Sequence, residues 1–275
     1  MTGALAPRPA NEARRAQAVV RTGLVANPKP ELFQIYCDLA KDITGFDSAS
    51  FSLFDGEMQC VMAATGREDF FVAGNKGMRD ANNICSYVLL SPDPLLMPDL
   101  REDSHWKNHP KILDGSAVWI GYAGFPVVNR DNYALGTLCM LHKSPRAIPK
   151  DVIPLIQKIT KNIAFLLDLQ TEQKQLTSAK MLEALQAFQQ HCPDLKIDDF
   201  KYFLSLSAEL PADTIHLDAL IKLGLVQLVD SQPLLTDEGR DLQEKMKIQP
   251  RTFNRVKVTG EDAASMLDDM LSQLN

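Results

Sequence analysis

The stretch GYAGFPVVNRDNYALGTLCML, residues 121–141, consists of two apolar runs around the polar tetrapeptide Asn129-Arg130-Asp131-Asn132. Asparagine and aspartate tolerate left-handed backbone, so the tetrapeptide reads as a solvent turn and the runs as a two-stranded hairpin. Gly124 and Gly136 suit a bulge or a close backbone approach. Upstream, Ala49 to Phe54 alternates like a strand. Asp55-Gly56 is a short-turn signal, and Met58 to Ala64 reads as the returning strand. Residues 66–83 are polar and loop-like. Ile84 to Leu90 reads as a short helix, broken by Ser91-Pro92-Asp93-Pro94, and Leu95 to Met97 as a brief strand. Arg101 to Gly115 reads as a polar loop or short helix.

Helical periodicity brackets these strands. Leu32, Ile35, Tyr36, Leu39 and Ile43 share one face of a helix that Gly45 stops. Val152, Leu155, Ile156, Ile159, Ile163, Leu166 and Leu167 recur at three- and four-residue steps, giving a wide apolar stripe. The expectation is an α+β domain built on a mostly antiparallel sheet.

A chain of 275 residues has room for two domains, and its hydrophobic fraction of 45% suits a folded core. Net charge −6 and pI 5.4 disfavour nucleic acid and anionic membrane surfaces as partners. No signal core or membrane-length apolar run is present, and the five cysteines have neither CxxC nor zinc spacing. The expectation is a soluble cytoplasmic protein with reduced, buried thiols.

Residues 19–168 resemble a GAF domain. The resemblance rests on pieces in order: Thr22-Gly23-Leu24 and Asn27-Pro28, Ser50 to Asp55, Ile84-Cys85-Ser86-Tyr87-Val88-Leu89, Leu96 to Asp103, Gly121 to Pro126, and Ala134 to Cys139. It implies a small-molecule sensor or interaction module rather than an enzyme. The implied pocket lies between the sheet and the loops of residues 66–118. Its candidate lining is Phe51, Met62, Cys85, Tyr87, Trp106, Trp119, Tyr122 and Phe125. Ordinary core packing is the competing reading of the same side chains. Asn75-Lys76 alone matches the pattern of cyclic-nucleotide-binding members, and no cofactor or metal is implied. His105 and His109 have helical spacing but no third ligand beside them.

The second half is more acidic. From Leu176 onward there are 10 Lys+Arg against 16 Asp+Glu. Helices are expected over Leu176 to Gln190, Ile197 to Leu206 and Ile215 to Leu223. A small hairpin at 225–235 follows, then a helix with Thr236 as its N-cap. This order resembles a winged helix, which makes the second domain mainly helical. The helix before the wing carries only Lys222 as a cation, so direct DNA reading is disfavoured. The expected layout is a flexible N-terminus (1–18), the GAF-like domain (19–168), a helical connector (169–190), a winged-helix-like domain (191–250) and a tail with an acidic amphipathic helix (251–275).

The expected function is non-catalytic regulation by a homodimer, its seam formed by Val152, Ile156, Ile159, Ile163 and Leu166. A small-molecule ligand would occupy the pocket, and a protein partner would meet the acidic half. Two alternatives stay open. One is a ligand-responsive DNA-binding regulator using Lys222, Arg240, Arg251, Arg255 and Lys257. The other is a reductase using two of Cys60, Cys85 and Cys139.

Overall fold

The computed structural model of the chain describes residues 5–66, 72–210 and 217–248. It divides into two compact units, Met1–Gln173 and Lys174–Asn275.

The first unit is α+β. Its antiparallel sheet contains β1 (Ser48–Phe54), β2 (Met58–Thr65), β3 (Lys76–Met78), β4 (Leu95–Met97), β5 (Gly121–Val128) and β6 (Ala134–His142), in the order β3-β2-β1-β6-β5-β4. The hairpin of residues 121–141 is therefore β5 and β6, and β6 lies centrally beside β1. Its turn places Asn132 at φ 61°, the left-handed backbone that asparagine tolerates. The strand β3 was not legible in the sequence. Its three residues are all exposed, so no apolar alternation marks it.

Side chains alternate across the sheet. One face carries Ala49, Phe51, Leu53, Met62, Ala123, Phe125, Leu138 and Met140. Helices α1 (Glu12–Arg21), α2 (Gln34–Thr44) and the start of α5 (Ile153–His191) bury it with Val19, Cys37, Ala40, Ile156, Ile159 and Ile163. The other face is covered by α3 (Ile84–Tyr87), the 3-10 turns Val88–Leu90 and Trp106–Asn108, and nearby loop residues. A further short helix, α4 (Pro110–Leu113), lies in the segment before β5.

Two expectations need correction. Residues 12–18, expected to be flexible, form most of α1. Arg15 is fully buried there, and its Nη1 donates to the Phe54 carbonyl at 2.6 Å. A buried arginine leaves no apolar mark for periodicity to detect. The apolar stripe from Val152 and the separate helix expected from Leu176 belong to one element, because α5 runs unbroken for 39 residues through the polar Glu172–Gln175. Glu, Gln and Lys there are good helix formers, so a polar run need not end a helix.

The second unit buries Met181, Ala184 and Phe188 of α5 with Phe200, Phe203 and Leu204 of α6 (Ile197–Ser207). Leu220 of α7 (Leu217–Lys222) and Leu242 of α8 (Asp237–Lys245) complete the cluster. The strands β7 (Val226–Val229) and β8 (Gln232–Leu235) form an antiparallel hairpin between those two helices. Thr236 caps α8: its Oγ1 accepts from Gly239 N at 3.0 Å. The expected helix start at Ile215 and the whole tail 251–275, with Arg251, Arg255 and Lys257, lie outside the described residues.

Candidate functional site

The face of the first unit's sheet beneath α3 is unusually polar for buried surface. Ser48, Ser50 and Ser52 of β1 point away from Phe51, and all three are buried. Gln59 of β2, Thr137 and Cys139 of β6 and Tyr122 of β5 are buried on the same side. Buried polar groups persist when hydrogen-bonded, and these form a chain. Gln59 Nε2 donates to Ser52 Oγ at 3.0 Å. Gln59 Oε1 accepts from Asn83 Nδ2 at 2.7 Å. Asn83 in turn caps α3 through Ser86 N at 3.1 Å. This chain ties α3 to the sheet.

A second group lies in the same layer. The Tyr122 hydroxyl is 3.1 Å from Cys139 Sγ. Cys139 Sγ is 3.2 Å from Cys85 Sγ and 3.2 Å from Thr137 Oγ1. Burial alone would push both thiols up. At Cys139 the hydrogen bonds it shares with Cys85, Thr137 and Tyr122 prevail over burial, and its pKa falls below the ordinary thiol value. Cys85 moves the other way, first through its hydrogen bond with Cys139 and then through burial. Gly124 permits close packing here: a Cβ there would lie 2.5 Å from both the Tyr122 hydroxyl and Val88 Cγ2. Ser86 Oγ is buried and has no hydrogen-bond partner among the described residues.

An aromatic group adjoins α3. Tyr87 packs on Trp106 with ring centroids 5.0 Å apart and on His105 at 5.4 Å. His109 lies between Trp106 and Trp119, at 6.1 and 6.3 Å. Burial lowers the His109 pKa, and its Nδ1 accepts from Lys111 N at 3.1 Å. Among the described residues, no three His, Cys, Asp or Glu side chains converge in a way that could hold a metal.

The eight expected pocket residues are thus divided. Cys85, Tyr87, Trp106, Trp119 and Tyr122 gather on the loop-covered face. Phe51, Met62 and Phe125 lie on the opposite face, in the core against the helices. One lining including all eight is therefore ruled out by strand alternation. Tyr122 and Phe125 are three apart on one strand and must point to opposite faces. Ser50, Ser52, Gln59, Asn83 and Thr137 were not among the expected pocket residues, and Cys139 was named only for reductase chemistry. The alternation of serines in Ser48-Ala49-Ser50-Phe51-Ser52, out of phase with Phe51, was the available signal.

The expected seam residues also turn inward. Ile156 and Ile163 are fully buried and Ile159 is 7% exposed, all in the unit's own core; Val152 and Leu166 are half-buried against it. A neighbouring face of α5 leaves Leu155, Phe165 and Leu169 exposed. Of the three cysteines considered for reductase chemistry, Cys85 and Cys139 meet, whereas Cys60 is in the core on the other face. Of the cations considered for DNA, Arg240 is engaged by Asp237 and by the Leu235 carbonyl. Among the described residues, no helix is long and apolar enough to cross a membrane.

A comparison with curated proteins returned no match. Among solved structures, the chain resembles a domain of a sensor histidine kinase protein from Sinorhizobium meliloti 1021. The two are 19% identical, with 52% of this chain and 92% of that one covered and a TM-score of 0.41. It also resembles the PixJ GAF domain of Thermosynechococcus elongatus at 15% identity, covering 63% and 96% with a TM-score of 0.44. A type II free methionine-R-sulfoxide reductase from Thermoplasma acidophilum is 15% identical, with 54% and 94% covered and a TM-score of 0.40. The GAF domain family model matches residues 29–167, about half of the chain, and takes in all six strands of the first unit's sheet. By that match, the chain belongs to the GAF domain family.

Proposed function

We propose that this protein is a non-catalytic signalling regulator whose first unit senses a small polar molecule. The observation that carries this reading is the buried polar layer beneath α3. Burying hydroxyl and amide groups costs free energy unless partners are supplied, and this face keeps a hydrogen-bonded polar layer where apolar side chains would pack without needing one. In this reading a polar ligand takes over hydrogen bonds that Ser52, Gln59, Thr137 and Tyr122 make to their protein neighbours, and the aromatic rings of Tyr87, Trp106 and Trp119 stand nearby. A few convergent polar groups amid apolar walls suit a small-molecule site.

Native mass spectrometry of the full chain, purified without added ligand, tests this. The expected result is an extra mass that is lost on denaturation and absent from a Ser52→Val/Thr137→Val variant. A bare wild-type chain that also shows no thermal shift across a panel of polar metabolites would remove the sensing role.

The second unit acts in this reading as a winged-helix-like module for protein contacts. Its excess of acidic residues supports a protein partner over nucleic acid. The chain works as a homodimer in the cytoplasm, and the helix α5 carries the seam. Because Ile159 serves its own core, Ile159→Glu would unfold the unit and say nothing about pairing. The informative variant is Phe165→Glu/Leu169→Glu, which alters two exposed side chains. It is expected to be monomeric by light scattering, with its melting temperature within about 3 °C of the parent's. A variant that remains dimeric would exclude this face as the seam.

A further inference from the structure

We propose that Cys85 and Cys139 form a reversible redox pair, in which a hydroperoxide closes a disulfide between α3 and β6. The inference rests on the contact itself and holds whether or not a ligand occupies the domain. Five cysteines are present, all free and buried, yet only this pair meets among them. The sulfurs are 3.2 Å apart, so bond formation requires an approach of only about 1.2 Å. One sulfur belongs to a helix of four residues held to the sheet by side-chain hydrogen bonds, and the other to a central strand paired on both sides through its backbone, so the approach falls to the short helix.

The environment divides the roles. Cys139 Sγ lies within hydrogen-bond reach of the Tyr122 and Thr137 hydroxyls and of the Cys85 thiol, three groups that can turn to donate once its proton leaves. Cys139 Sγ attacks one peroxide oxygen, and the O–O bond breaks. The sulfur is oxidised to a sulfenic acid, and the other oxygen leaves as water or an alcohol with the thiol's proton. Cys85 Sγ then attacks the Cys139 sulfur. The S–S bond forms, the S–O bond breaks, and the departing hydroxide takes the Cys85 proton as water. Two thiols and one hydroperoxide give one disulfide, one water and one alcohol or second water. A small-molecule thiol reverses the reaction by exchange.

The test uses the full reduced chain, hydrogen peroxide and peptide mapping without reductant. The expected result is loss of two of the five free thiols, recovered as a peptide linking Cys85 to Cys139 and reversed by dithiothreitol. Cys85→Ser is expected to leave Cys139 as a sulfenic acid that dimedone traps, while Cys60→Ser leaves the cross-link intact. Oxidation that spares this pair, or that carries Cys139 to sulfinic acid without a cross-link in the wild-type chain, would overturn the proposal. Because wild-type mapping decides the matter alone, a variant that fails to fold does not blunt the test.

Discussion

Arg15→Met is expected to destabilise the first unit by about 3–5 kcal/mol, the usual cost of removing one partner from a buried ionic cluster. Arg15 is fully buried and holds several groups at once. Its Nε and Nη2 grip both oxygens of Glu12 at 2.8 Å. Nη1 donates to the Phe54 carbonyl at 2.6 Å, and Nη2 to the Asp55 carbonyl at 2.9 Å. Methionine keeps most of the volume and none of the donors. The Phe54 carbonyl would then be buried without its charged partner. Arg79, also fully buried and 5.7 Å from the Phe54 ring centre, would keep Glu12 as its counter-ion through Nη1 at 2.5 Å. Both tryptophans, Trp106 and Trp119, lie in the first unit, so intrinsic tryptophan fluorescence reads its unfolding alone. A melting temperature within about 2 °C of the parent's would show that the cluster is dispensable. The same cluster predicts a pH dependence. Burial tends to raise the Glu12 pKa, but hydrogen bonds and charge from Arg15 and Arg79 bring it below 4.5. Its contribution is therefore complete above that ordinary value and is lost as pH falls through the lowered one.

Gly136→Val is the second large effect, expected at about 3 kcal/mol or more because backbone cannot move aside as a side chain can. A Cβ at Gly136 would be 2.2 Å from the Ser52 carbonyl oxygen and 3.1 Å from its carbon. Those atoms belong to β1, which pairs with β6 at the centre of the sheet. The strands would have to part where Thr137 and Ser52 supply the buried polar layer. The expected outcome is a lowered fluorescence melting transition with loss of any bound small molecule. Unchanged melting would mean the strand pair has slack that the geometry does not show.

Much of the first unit was legible before folding. The turn of the 121–141 hairpin and the strand at Ala49–Phe54 follow from local patterns, and so does the existence of α2. Its face was misread: Ile35, Leu39 and Ile43 are exposed, and α2 buries Cys37, Ala40 and Thr44 instead. The pocket side chains were only half legible. Their types were readable, but placing Phe51 and Tyr122 on opposite faces required following alternation strand by strand. Register and bulges shift that count. β1 and β2 slip by one residue near Phe51, and β5 and β6 slip near Val127.

The sequence by itself determined the family and most of the first unit's elements, α1 and β3 excepted, because apolar period, turn residues and ordered motif pieces are all properties of neighbours along the chain. Only the tertiary structure decided which side chains meet. Arg15 reaches a strand 39 residues away, and Cys85 meets Cys139 across 54. It also turned Ile156, Ile159 and Ile163 toward their own sheet. An apolar stripe records that a face must leave water, not what covers it, since hydrophobic burial is non-directional.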